Sequence, residues 1–283
     1  MPSKRDARDS LKVLMVHDAA FTARDLVPGF ERLDVSVELL PLSSTLSMAR
    51  KIRSSKAEIV HAHYIRSPAY AAYVSFKRPY VLHAHGDDVR HGIGFFQRIA
   101  MNSAAMIFYA TDDIRIQGGV KISQPVNLDL FKPIVDASTI RKALYMLDSN
   151  ASPKNRILEQ AYVTAIKQLC EKEHIDVEIR ERLGIPHEEM PKFLSQFQLF
   201  FDKSSYPGAY SKTALECSAM GMCVLGQGDF KMRDTSPPTF ELDLESAKRK
   251  TKSMYEYVVS NHSSDAVAKK LLGYYEEILS RAK

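Results

Sequence analysis

Short apolar runs alternate with stretches of helical spacing from Lys12 to Tyr109, and this alternation restricts the fold more than any other feature of the 283-residue chain. Lys12–Val16, Val35–Leu40, Glu58–His63, Tyr80–His85 and Ala105–Tyr109 read as strands. Arg24–Leu33, Leu46–Ser54, Ala69–Phe76 and Phe95–Asn102 read as the helices between them. The runs are nearly continuous in apolar residues, as strands covered on both faces require, so a parallel sheet with right-handed helical crossovers is expected. In such sheets, ligand groups gather beyond the carboxyl ends of the strands. His17, His63, His85 and Thr111 all fall there. Gly86-Asp87-Asp88 reads as a polar turn and Thr111-Asp112-Asp113 as a helix start.

A Pro-punctuated link, Gln124–Pro133, separates this half from a second one of the same kind. Ala143–Leu147, Asp176–Ile179, Phe197–Phe201 and Met222–Leu225 read as strands. A helix starts at Ser152-Pro153, with serine as cap and proline in the first turn, and runs to about Glu173. Glu188–Gln196, Leu242–Val259 and Ser264–Arg281 read as further helices. The expected division is 1–132 and 133–283, with the last helix free to pack back on the first domain.

Composition narrows the class. Hydrophobic content of 45% with 26% charged residues is that of an ordinary globular protein. No apolar run approaches the roughly 20 residues of a membrane-spanning helix, and the N-terminus lacks the apolar centre of a secretory signal, so a cytoplasmic location is expected. Cysteines occur only at 170, 217 and 223, without a Cys-x-x-Cys pair, which argues for reduced thiols. A net charge of +5 without a basic run interleaved with aromatics does not point to nucleic acid. It is compatible with anionic substrates, and peripheral contact with an anionic membrane surface stays open.

The segment Ser205–Leu225 carries the most chemistry. It reads as a polar, Gly-containing turn entering a short helix that Gly221 ends, followed by a buried strand. A helix entrance presents unpaired N–H groups at the positive end of the helix dipole, where phosphate binds. Glu216 lies within reach of such an entrance and suits the hydroxyls of a ribose. The segment resembles the donor-site signature of retaining glycosyltransferases of the GT-B fold, family 4 in particular. Tyr206, Tyr210, Leu215-Glu216, Ala219-Met220-Gly221 and Val224 match that pattern in register. The stretch Gln124–Pro133 resembles the family's interdomain segment, with Asn127 in place of an aspartate. Two departures stand in the signature itself: Gly208 replaces the first of two family glutamates, and Cys223 replaces a proline.

The resemblance implies an α/β protein of GT-B type, two Rossmann-like domains facing a central cleft. It further implies a nucleotide-sugar substrate, a carbohydrate or lipid-linked acceptor, and leaving-group stabilisation by cations and amides without metal or other cofactor. The implied donor-site residues are Gly208, Tyr210, Ser211, Lys212, Thr213 and Glu216. Lys154 and Arg156, at the start of the second half's first helix, correspond to a basic pair that clamps the diphosphate. A cation aimed at developing charge is among the larger catalytic contributions. His85 corresponds to a position near the transferred sugar, and His17, Asp87 and Arg90 fall on the acceptor side. Asp88 is a further candidate there. The loop after the first strand, His17–Thr22, lacks the glycines that related enzymes carry.

Two other readings compete. Gly208, the short second half and the altered first loop favour a degenerate GT-B protein that binds a nucleotide without turnover. His61-Ala-His63 and His83-Ala-His85 place imidazoles two apart on strands, hence on common faces, as a histidine-metal hydrolase would need. For His61 and His83 the preferred expectation is a buried, hydrogen-bonded core histidine.

Overall fold

A computed structural model of the chain describes residues 10–90, 92–111, 114, 116–147, 153–181, 184–202, 210–226, 229–233 and 239–281. The chain divides into two compact units, residues 1–127 with 261–283, and residues 128–260. Residues 261–283, whose helix the sequence reading left free to pack back on the first domain, belong to unit 1.

In unit 1, β1 (Lys12–Val16), β2 (Ser36–Leu40), β3 (Ile59–His63), β4 (Tyr80–Ala84), β5 (Met106–Tyr109) and β6 (Val120–Lys121) form a sheet in the order β2-β1-β3-β4-β5-β6. Every pairing is parallel. Side chains alternate between its faces. Leu14, Val16, Val60, Leu82 and Ala84 pack beneath α2 (Thr45–Ser54), α3 (Ser67–Val74) and α5 (Phe95–Asn102), through Met48, Ile52, Ala69, Ala72 and Ala100. Val13, Met15, Ile59, Val81 and Phe108 face α1 (Thr22–Glu31) and the C-terminal helix, Ser264–Arg281, through Leu26, Phe30, Val267, Leu271 and Tyr275. After β4, between α3 and α5 in the chain, comes α4 (Asp87–Arg90). The expected Gly86-Asp87-Asp88 turn is thus the entrance to a single helical turn, because the Asp88 carboxylate accepts the N–H groups of His85 (3.0 Å) and Gly86 (2.9 Å). Asp112 and Asp113, in the expected helix start, lie outside the described residues.

In unit 2, β7 (Lys142–Leu147), β8 (Asp176–Glu181), β9 (Leu199–Phe201) and β10 (Cys223–Leu225) form a parallel sheet in the order β10-β9-β7-β8. Its helices are α6 (Pro153–Lys172), α7 (Met190–Leu194), α8 (Lys212–Ala219) and α9 (Leu244–His262). An antiparallel pair, β11 (Phe230–Arg233) and β12 (Thr239–Leu242), is an addition that the sequence reading lacked. The last helix, α10 (Ser264–Arg281), completes unit 1.

Each sheet has one place where neighbouring strands are followed by connections running in opposite directions. In unit 1 it lies between β1 and β3, in unit 2 between β7 and β9. Open α/β sheets bind ligands at such switch points.

Candidate functional site

At the unit 2 switch point, Asp202 follows β9 directly and its backbone N–H donates to Leu225 O on β10 at 2.8 Å. The buried Asp202 carboxylate accepts the Ser211 N–H at 3.1 Å, fastening the entrance of α8 to the end of the sheet. Burial raises its pKa to about 6, the Ser211 hydrogen bond opposing that rise only in part. Ser211 is the N-cap of α8, its hydroxyl accepting the Ala214 N–H at 3.1 Å. Thr213, in the first turn, is buried. Capping fixes a helix entrance whose other first-turn N–H groups belong to Lys212 and Thr213.

Glu216 is 3% exposed, so it is not a solvent-facing helix glutamate. Lys212, one turn earlier and also buried, places its Nζ 3.7 Å from Glu216 Oε1. His187 Nδ1 lies 3.9 Å from the same oxygen, and the His187 ring packs beside Phe131 at 5.3 Å. Sequence reasoning missed both His187 and Asp202. Asp202 carries one legible signal, a carboxylate directly after an apolar strand; His187 carries none.

The helix ends as the sequence implies. Gly221 has φ +86°, and a Cβ there would stand 2.8 Å from Val135 O, so only glycine fits without strain. Tyr210 lies against Gly226, where a Cβ would meet Tyr210 Cε1 at 2.8 Å. Burial raises its phenol pKa, with Asp229 and Asp202 adding to the shift. Arg156 is exposed on α6 and lines a cavity of about 750 Å³ with Leu147, Glu159, Val163 and Val177. On the same helix, the buried Glu159 accepts from the Tyr145 hydroxyl at 3.1 Å. Lys154 lies in the first turn of α6, its side chain outside the described residues, and Gly208 is outside them altogether.

In unit 1, His17 follows β1 with φ +68°, its N–H bonded to Leu40 O at 2.8 Å. Ala20 and Phe21 are also left-handed, at φ +50° and +59°. The glycine-free loop therefore holds three residues in a region costly for side chains, the kind of local strain found at functional sites. His85 follows β4, its Nε2 3.2 Å from His63 Nδ1. Burial, then the proximity of His17, lowers its pKa to about 3. Arg90 folds over Gly86, where a Cβ would meet its guanidinium at 2.6 Å. The Asp87 side chain lies outside the described residues. Asp88 accepts three backbone N–H groups, including Ile65 N at 2.6 Å, so it clamps the β4 turn to the end of β3 rather than facing an acceptor.

The four histidines of β3 and β4 form one stack, with ring centroids 4.3 Å apart for His61–His63 and 4.6 Å for His83–His85. The expectation of hydrogen-bonded core histidines holds for His61, whose Nδ1 meets the Tyr275 hydroxyl at 2.5 Å. It does not hold for His83. Both of its ring nitrogens are buried without a hydrogen-bond partner among the described residues.

No protein-family model matches the chain, and a search of curated proteins returns no match. Solved structures do match. A glycosyltransferase from Rickettsia africae ESF-5 aligns with TM-score 0.59 at 14% identity, over 96% of this chain and 99% of that one. Sucrose-phosphate synthase from Thermosynechococcus elongatus aligns with TM-score 0.63 at 11% identity, over 96% and 100%. Anabaena HepE in complex with UDP aligns with TM-score 0.54 at 10% identity, over 94% and 100%. UDP-N-acetylglucosamine 2-epimerases share the fold as well. At these identities the likeness establishes the architecture: an α/β protein of GT-B type with two Rossmann-like domains. Among the described residues no helix is long and apolar enough to cross a membrane.

Proposed function

We propose that this chain is a glycosyltransferase that binds a nucleotide-sugar in unit 2 and passes the sugar, with retention at the anomeric carbon, to a carbohydrate or lipid-linked acceptor. One observation carries the reading. A capped helix entrance at the unit 2 switch point has a buried carboxylate, Glu216, behind it, already engaged with a buried cation.

The first-turn amides of α8 suit the diphosphate, because their N–H groups have no partner within the helix and the dipole favours negative charge. Glu216 suits a ribose diol, since one carboxylate accepts from both hydroxyls. Lys212, which otherwise neutralises Glu216, then turns its charge toward phosphate. Lys154 and Arg156 are the further cations for the charge that grows on the departing diphosphate as its bond to the anomeric carbon breaks. The acceptor hydroxyl forms the new bond and gives up its proton to that leaving group. His85 is assigned to the neighbourhood of the transferred sugar, and His17, Asp87 and Arg90 to the acceptor side. Metal and other cofactors have no part in this scheme. The HepE complex makes UDP the first nucleotide to try.

Thermal shift of the full chain with UDP, GDP, ADP and their sugars, beside a product assay, tests the proposal. A nucleotide that stabilises the wild type and not Glu216→Ala, together with a glycosylated product, is the expected result. Stabilisation without product from any donor favours the non-catalytic reading that Gly208 suggests. Equal stabilisation of wild type and Glu216→Ala overturns the site.

A further inference from the structure

Four imidazoles in one apolar stack are chemically unusual. His61, His63 and His83 have no exposed surface and lie on the α1/α10 face of the sheet with Phe108. His61 Nε2, His63 Nε2, both nitrogens of His83 and Nδ1 of His85 are buried without a hydrogen-bond partner among the described residues. An unpaired buried polar atom is costly, so a cluster of them calls for an occupant that uses the lone pairs. One ring nitrogen from each of His61, His63 and His83 lies within 4.8 Å of the other two.

We propose that His61, His63 and His83 bind a divalent transition cation of the zinc class. Imidazole nitrogen is a preferred ligand for such ions, and among the described residues no carboxylate joins the trio that would favour calcium or magnesium. The remaining nitrogens fit this role. Metal-bound histidines ordinarily engage their second ring nitrogen with a polar group that orients the ring. His61 Nδ1 meets Tyr275 and His63 Nδ1 meets His85, leaving the Nε2 atoms for the ion. The ring planes of His61 and His63 are inclined by only 15°. Binding therefore needs rotation about the Cβ–Cγ bonds, a soft torsion for histidine. Three neutral ligands leave a fourth position, and the ion's charge favours hydroxide or another anionic oxygen in it. The ion would join β3 to β4 and, through Tyr275, to α10. The site lies wholly in unit 1 and does not depend on the nucleotide reading of unit 2.

The test uses the purified full chain after chelation, titrated with Zn²⁺ by calorimetry and with Co²⁺ by visible absorption. One ion per chain is expected, with the intense bands of four-coordinate cobalt and a rise in Tm. His61→Asn/His83→Asn should lose stoichiometric binding, and Tyr275→Phe should weaken it about 10-fold. His174→Asn, altering an exposed histidine, should leave it unchanged. Binding that survives the double substitution overturns the site. So does a wild-type chain that takes up no Zn²⁺ or shows only weak six-coordinate cobalt bands, a result that holds even if the variants fail to fold.

Discussion

Lys212 Nζ stands 3.7 Å from Glu216 Oε1 one turn along α8, and both side chains are almost fully buried. A charge pair in that setting is an arrangement in which each partner depends on the other. Removing one leaves a buried charge uncompensated and costs about 3–5 kcal/mol, whereas replacing both by apolar groups is often neutral. Lys212→Met and Glu216→Leu should each lower unfolding free energy by that amount in urea, and the double variant should recover most of it. Additive losses would mean that the two side chains are stabilised by separate surroundings. A nucleotide that takes over Glu216 should restore Glu216-dependent stability only when Lys212 has phosphate to meet.

Asp202 gives a pH dependence with a definite sign. Its carboxyl is raised to about 6 in the folded chain, chiefly by burial. The unfolded chain releases that proton near 4. Between these values the folded state holds a proton that the unfolded state has lost, so stability falls as pH rises. The group's favourable contribution is complete below about pH 4 and gone above about pH 6, a change on the order of 2–3 kcal/mol. Asp202→Asn cannot ionise, yet its amide oxygen still accepts from Ser211. Urea midpoints of the two proteins should diverge from pH 4 to pH 7, in favour of the variant. Parallel curves would contradict a buried, proton-holding carboxyl.

Asp88 shows how much of His85's placement rests on one side chain. Its Oδ1 accepts from His85 and Gly86, and its Oδ2 from Ile65. Asp88→Ala strands three N–H groups and should cost at least about 3 kcal/mol. Asp88→Asn is also destabilising here, because its NH₂ must face an N–H donor on one side or the other. An asparagine variant with wild-type stability would show that the clamp does not form.

Legibility in the sequence followed the physics of each element. Phe95–Asn102 and Ser264–Arg281 have the same ends in sequence and structure, since a repeating apolar stripe marks both, entered through Gly94 in the first and Ser263 in the second. β11 and β12 were missed because Lys231, Arg233 and Glu241 interrupt their apolar residues, and β6 because two residues carry no period. Strand alternation placed the four histidines correctly by face. It says nothing of hydrogen-bond partners, which is why His83 was misread as a satisfied core residue. Glu216 was legible through its motif. Its buried partner His187 opens a short 3-10 turn between β8 and α7 and has no local pattern to announce it.

Gly29 offers a test of how α10 is held. It lies inside α1, where replacing glycine by alanine ordinarily gains about 1 kcal/mol of helix propensity. Here a Cβ would fall 2.3 Å from Ser264 O and 2.9 Å from Ala268 Cβ, so α10 has to move outward. That shift pulls on the Ser264 hydroxyl, which donates to Asp25 O at 2.5 Å, and on Arg32, 2.6 Å from Asp265. Overpacking of this kind costs about 1–3 kcal/mol and outweighs the propensity gain. Gly29→Ala should therefore destabilise the chain in urea and speed amide exchange in α10 before α5. The sign decides the matter: a more stable Gly29→Ala protein would mean that α10 does not pack against α1 at this glycine.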